Sequence, residues 1–546
     1  MLNRSENNRR IDCDVIVVGA GHNGLVCAAY LACAGLRVTV VEKRSVIGGA
    51  AVTEEFYPGF RNSVASYTVS LLNPKVIADL ELARFGLKIV ERKMSNFWPF
   101  EDGRFLALYP NADAIKREFA KFSDRDARAA AEYYGALERT ATIFRRLVLE
   151  TPPNAGGGLL DMVRAGRLGR DLIHLPIEDQ RLLIDIFTKS VNEFVSGYFE
   201  APEIRAACCF DGLIGAYAGP HTPGTAYVLL HHAFGEVNGK KGVWGHAIGG
   251  MGAVTQAMAK SAAARGVDIR TDAGVREVII EDDAARGVVL ENGETIRAGI
   301  VAANVNPKLL YTQLVDSGAL DAEFLRRMKN WKCGSGVLRM NVALSELPDF
   351  TCAPGANLQD HHTAGVVIGS SVDYLERAYL DAREHGWARR PLVEILISST
   401  LDDTLAPPGQ HVASLFCQSF APELPDGQSW DDAREDAADA AIDAVTEFAP
   451  NFRNSIIAKQ VLTPLDLERE FGLLGGDIFH GAMSLDQLYS ARPMLGYADY
   501  RGPLKGLYHC GSGAHPGGGV TGAPGHNAAR EMIRDLKGWN PLRRFG

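Results

Sequence analysis

The stretch at residues 14–42, DVIVVGAGHNGLVCAAYLACAGLRVTVVE, limits what this chain can fold into more than any other. Val15 to Val18 form a short apolar run of the kind buried on both faces in a parallel sheet. Gly19, Gly21 and Gly24 follow with the spacing G-x-G-x-x-G. In such a unit the first glycine permits the tight turn, the second lets backbone approach a pyrophosphate, and the third allows close helix–strand packing. A helix is expected over 23–34, stopped by Gly35, then a strand over 37–41 ending at Glu42. The helix N-terminus offers unpaired N–H groups to phosphate. Glu42 stands where an acid bonds ribose hydroxyls. Residues 15–36 carry no charge and are long enough to span a bilayer, but Gly19, Gly21, His22, Asn23 and Gly24 interrupt them, so a buried βαβ unit is the better reading.

A carboxylate at Glu42 suits the free ribose of FAD or NAD and repels the 2′-phosphate of NADP. A second glycine-rich segment, GLYHCGSGAHPGGGVTGAPGHNAA at 506–529, reads as a strand over 506–510, a turn, and a helix over 522–536. Glycines there let backbone lie against a flat ring, and a helix N-terminus aimed at it stabilises negative charge on a reduced flavin. The two anchors together predict a two-domain flavoprotein with the flavin between the chain's ends.

With 546 residues the chain is long enough for two domains, and 46% hydrophobic with 23% charged residues is globular. A net charge of −9 argues against a nucleic-acid partner. The nine cysteines are scattered, with no zinc-type or C-x-x-C spacing, so neither a disulfide framework nor a metal site is expected. The polar first dozen residues lack the apolar core of a secretory signal.

The expected fold is α/β, a discontinuous Rossmann-like FAD-binding domain with a second α+β substrate domain built on an antiparallel sheet. The FAD-binding domain is read in three parts, 1–72, 242–308 and 497–546, and the substrate domain in two, 73–241 and 309–496. Helices are expected over 111–150, broken at Ser123-Asp124, over 159–210 and over 429–448. Strands are expected over 267–270, 275–280, 287–290, 295–298 and 300–303, with an Asn292-Gly293 hairpin, and in the second domain over 337–344, 393–398 and 412–420.

The runs DVIVVGAGHNGLVCAAYL, VIGGAAVTEEFYPGF, PHTPGTAYVLLHH, WGHAIGGMGAV, FHGAMSLDQLY and CGSGAHPGGGVTGAPG resemble, along nearly the whole chain, flavoproteins named for a pyridine nucleotide-disulphide oxidoreductase domain. More distantly the chain is similar to the phytoene desaturase and carotenoid oxidoreductase family. The resemblance implies FAD held by Gly19, Gly21, Gly24, Glu42, Lys43, Arg44, Gly48, Gly49, Val275, Gly511, Gly519, Val520 and Thr521. Family members often carry Arg directly after the Gly48-Gly49 pair, where this chain has Ala50. A redox-active C-x4-C is absent from the stretch after that pair, and Cys27 and Cys33 do not replace it, so thiol–disulphide chemistry is rejected. The resemblance also implies a mitochondrial matrix location for a eukaryotic member and the cytoplasm for a bacterial one.

The leading expectation is an FAD-dependent oxidoreductase passing a hydride from a hydrophobic, isoprenoid-like substrate to flavin N5, with oxygen, a quinone or NAD as acceptor. The alternatives are a flavin-dependent polyene isomerase or saturase, and a flavin-stabilised regulatory or binding protein with little turnover. Amine oxidation fits the flavin domain but has no aromatic-cage motif behind it. Peripheral membrane contact through a surface patch is expected for a lipid substrate. His515 is the foremost acid–base candidate, with His221 and His232 behind it, and Tyr67, Trp244 and Tyr489 are candidates to line the pocket.

Overall fold

The computed structural model describes residues 11–539. The reading of the first ten residues as no secretory signal, and the last seven residues of the third FAD-binding stretch, lie outside that range.

Two seven-stranded sheets organise the chain. The first begins with Cys13–Val18, flanked in parallel by Val38–Val41 and by Thr295–Ala303. Asp268–Arg270 extends it beyond Val38–Val41. The Thr295–Ala303 strand carries two different partners along its other edge. Its first part pairs antiparallel with Ala284–Leu290, which pairs in turn with Val275–Glu281. Its last three residues pair parallel with Leu507–His509. The sheet thus takes strands from three separate stretches of chain. The sequence divides 295–303 into two strands at Gly299, whereas the structure has one. A side chain at Gly299 would meet nothing closer than Asp14 O at 3.6 Å, so this glycine marks no bulge or close approach and leaves the ladder unbroken.

Alternation of side chains sorts this sheet's residues onto two faces. Val15, Val17, Val40, Ile300 and Ala302 pack against the opening helix His22–Cys33, Met251–Ala263 and the final helix Ala523–Trp539. Ile16, Val18, Val41, Val301 and Ala303 pack on the other face against Leu310, Tyr311, Phe324 and Met328. Val76, Leu80, Leu82 and Leu87 join the first of these cores, which therefore reaches past Leu72 along the chain.

The second sheet runs Ile456–Leu462, Val337–Leu344, His411–Phe420, Trp387–Leu396, Gly365–Ile368, Asn96–Pro99, Phe105–Leu108, and only the Gly365–Ile368 and Asn96–Pro99 pair is parallel. Leu338, Met340, Ile395, Leu415 and Cys417 face the helix Trp430–Thr446. The opposite face carries Val337, Leu392, Leu396 and Phe416, and packs on the helical layer that includes Asp124–Leu147, Pro202–Phe210 and Thr225–Ala233. Arg339, Asn341, Glu394, Ser414 and Gln418 occupy the same alternating positions on that face, all buried. The helix break at Ser123 is as expected, with its hydroxyl accepting from Asp126 N–H at 3.2 Å. None of the described helices is long and apolar enough to cross a membrane.

Candidate functional site

The first glycine turn is a contact surface made of backbone. A Cβ at Gly24 would stand 2.1 Å from Gly19 O, which no side chain tolerates, so the helix lies directly on the turn. The opening helix starts at Gly21 with no side chain capping it, leaving its first N–H groups free for an anion. Gly21 and Gly48 run side by side, Gly48 N–H donates to Ala20 O at 3.0 Å, and a Cβ at Gly49 would come within 3.3 Å of Gly21 Cα. Glu42 is buried at the end of its strand, its two oxygens accepting from Ala20 N–H at 2.8 Å and Arg44 N–H at 3.0 Å. A carboxylate has about four lone-pair positions, so acceptor capacity remains for ribose hydroxyls.

Asn304 joins this turn to the C-terminal one. Its side-chain N–H donates to Gly19 O at 3.2 Å, and the position a Gly511 Cβ would take is 3.0 Å from its Oδ1. Asn23, in the first turn, donates to Ser512 Oγ in the second at 3.0 Å. The Thr521 hydroxyl accepts from Ala523 N–H at 3.1 Å and opens the final helix. His231 donates to Gly518 O at 3.1 Å, and Gly519 and Val520 face the cavity described below. The other expected cofactor contacts are less central. Lys43 is exposed and reaches Glu291 at 3.7 Å, Val275 packs beside the meander core, and Arg44 is held by Glu54 at 2.9 Å.

A cofactor fits these turns by what they leave unsatisfied. His22 Nε2, Asn23 Oδ1, Arg44 Nη1, His480 Nδ1 and both ring nitrogens of His509 are buried without a partner among the described residues. Each such atom costs about 1–3 kcal/mol unless something supplies a hydrogen bond. A dinucleotide, rich in phosphate, ribose and ring heteroatoms, is such a supplier.

Between the turns and the second sheet lies a cavity of about 140 Å³. Its walls include Val69, Leu71, Leu72, Ile214, Phe416, Leu473, Ile478 and Phe479, and its polar lining is His22, Tyr67, His232, His480 and a few hydroxyls, with no charged side chain among the described residues. Burial holds His22, His232 and His480 down to about 4, so all three are neutral at pH 7. The Tyr67 hydroxyl donates to Glu394, and burial with the neighbouring carboxylate pushes its own ionisation well up. Arg339 stacks on the Tyr67 ring at 4.4 Å and bonds Leu415 O at 2.8 Å and Ser414 Oγ at 2.5 Å.

Of the pocket candidates, Tyr67, Trp244 and His232 line this cavity, and His232 is fixed by donating to Val228 O at 2.9 Å. His221 does not; it is exposed beside Asn192. His515 is a correction. Its Nε2 donates to Leu147 O at 2.9 Å, and its ring faces a separate apolar cavity with Tyr489. Leu147 ends its helix, where carbonyls lack intrahelical partners, and the imidazole serves one of them. Sequence reasoning missed His22, His480, Asn304, Phe416 and Glu394. Only His22 and Asn304 had a signal, one inside the glycine motif and the other at the end of a parallel strand.

Two glycine turns brought together by Asn304 and Asn23, at the end of parallel strands and facing a largely apolar cavity, define a flavoprotein oxidoreductase. The chain belongs to the flavin-containing amine oxidoreductase family, whose description matches residues 24–337, and its cofactor is FAD. It is 42% identical to the mouse (Mus musculus) pyridine nucleotide-disulfide oxidoreductase domain-containing protein 2, over 96% of this chain and 94% of that one. It is 26% identical to a limonene dehydrogenase chain of Castellaniella defragrans, over 96% and 95%. A redesigned putrescine oxidase shares the fold at a TM-score of 0.60 and 17% identity, covering 96% of this chain and 99% of that one.

Proposed function

We propose that this chain is an FAD-dependent dehydrogenase or desaturase that removes a hydride from a C–H bond of a hydrophobic, isoprenoid-like substrate. One observation carries the reading: the cavity beside the two glycine turns has apolar walls, neutral histidines and no charged side chain among the described residues. Such a lining accepts hydrocarbon, and beside the turns it gives an ammonium group no ion-pair partner. The motifs shared with phytoene desaturases and the limonene named in one relative, both hydrocarbon substrates, support the same class. When bound, FAD supplies the two-electron acceptor. The chain's own part is to position substrate against Phe416 and Tyr67 and to keep Tyr67 protonated through Glu394.

A lipid surface as the source of such a substrate is supported by the segment 159–184. Leu159, Met162, Val163, Ile173, Ile177 and Ile184 are large, apolar and exposed there, with Arg167, Arg170 and Arg181 among them. Asp171 and Glu178 are exposed there too, so the apolar side chains are what suit a membrane interface.

The test is anaerobic mixing of the holoprotein with a panel of lipophilic alkenes and of alkylamines. Bleaching of the flavin by alkenes and not by amines is expected. Bleaching by amines alone overturns the reading.

A further inference from the structure

A larger cavity adjoins the flavin-side one. His232 and Trp244 line both, and the second has a volume of about 690 Å³. Its inner walls are aromatic, formed by Trp98, Tyr133, Tyr134 and Phe210. Beside these rings stands Asp211, just past the end of the helix Pro202–Phe210, one of three carboxylates in the lining with Asp113 and Glu138. Its side chain makes no hydrogen bond and no ion pair to any described residue, although Tyr133, Tyr134 and Cys208 surround it. A half-buried carboxylate left this way among aromatic rings has its hydrogen-bonding capacity open to a ligand that enters the cavity. The rest of the lining carries charges of both signs, Lys116, Arg128 and Lys241 with Asp113 and Glu138, and Lys241 pairs with Glu138 at 2.9 Å.

We propose that this larger cavity holds the substrate's far end, and that Asp211 accepts a hydrogen bond from a hydroxyl group on an otherwise apolar substrate, as a specificity-determining residue. The proposal rests on the hydrophobic-substrate reading above and narrows it to hydrocarbons bearing one hydroxyl. Burial beside Glu394 pushes the Asp211 carboxyl up to about 7, so it is half-charged under ordinary conditions and serves a neutral donor without demanding a counter-ion.

The experiment uses the FAD-loaded protein and reads the shift of the flavin spectrum on titration with 1-octanol, n-octane and octylamine. Wild type is compared with Asp211→Leu and with the isosteric Asp211→Asn, whose amide oxygen still accepts. Expected is that Asp211→Leu weakens octanol by about tenfold, the size of one lost hydrogen bond, while octane is unchanged and Asp211→Asn falls between. Should Asp211→Leu fail to fold, Asp211→Asn decides the matter through the pH dependence of octylamine binding. Wild type bound to octylamine only above the carboxyl's titration, and more tightly than to octanol, assigns the site to a cation and overturns the hydroxyl. An octanol affinity that is the same in every variant that folds overturns the role of Asp211 and leaves the hydrophobic reading standing. A flavin spectrum unmoved by all three probes overturns that reading itself.

Discussion

The two seven-stranded sheets solve the problem of making a site in opposite ways. The first is apolar on both faces, and its chemistry lies at its ends, in backbone N–H groups and glycine turns around Gly19, Gly21, Gly48 and Gly511. The second is apolar on one face only. The other face buries Arg339, Asn341, Glu394, Ser414 and Gln418 at alternating positions, and of these Arg339 and Glu394 hold the Tyr67 and Phe416 rings that line the cavity. A site made of backbone suits a cofactor that is the same in every member of a family. A site made of side chains suits a substrate that differs between members, because each position changes independently of the fold.

That contrast is broken most completely by Gly24→Val. The added carbon atoms would collide with Gly19 O, and the purified variant is expected to carry no FAD, seen as loss of the flavin absorbance bands. Acid comes next and strikes the seam between the sheets. His22, His232, His480 and His515 are held at about 4 against an ordinary 6.5, so below pH 6.5 the unfolded chain binds protons that the native one refuses. Stability is therefore fully present above pH 6.5 and falls as pH drops toward 4, by about 1.4 kcal/mol per unit for each such group. Thermal unfolding followed from pH 7 to pH 5 should show a steep decline accompanied by FAD release. A flat profile would contradict the neutral, buried state of these rings.

Arg339→Ala tests the second sheet alone. Leaving the Ser414 hydroxyl, Leu415 O and the Glu394 region without their cation should cost about 3–5 kcal/mol in a denaturant titration, while folded protein keeps its FAD. His515→Gln separates structural from chemical roles more finely. Loss of the bond to Leu147 O is expected to cost about 1 kcal/mol with kcat nearly unchanged, and a hundredfold fall in kcat would restore the residue to the chemistry. The smallest effect is expected from Ile173→Glu with Ile177→Glu, which should reduce co-sedimentation with anionic vesicles and leave the flavin spectrum as it was.

Much of the first sheet could be read directly because glycine spacing, apolar runs and a terminal acid are local signals. The 14–42 unit and the turn at Asn292-Gly293, where Gly293 N–H donates to Leu290 O, fell where they were expected. The second sheet was read only at its longest strands. Asn96–Pro99 and Phe105–Leu108 are short, aromatic and separated in sequence from their neighbours, so periodicity could not join them to Gly365–Ile368. His515 was misplaced because a histidine beside glycines looks the same in one dimension whether its ring turns toward a flavin or toward a helix end. Asp211 had no motif at all, since its isolation among tyrosines is a property of three dimensions.

The Thr295–Ala303 strand receives the chain's first strand on one edge and its last on the other, and the final helix lies so close to the opening one that a Cβ at Gly525 would stand 2.1 Å from Asn23 O. The order of synthesis then matters. The unit at 13–41 leaves the ribosome well before the helix that covers its flank, which follows some five hundred residues later, after the entire second sheet. Contacts of such long sequence separation form slowly, and an uncovered apolar flank is a target for aggregation while it waits. Each newborn molecule must therefore shield the opening unit until that distant helix arrives, and the cofactor's cradle is closed only once both have been made.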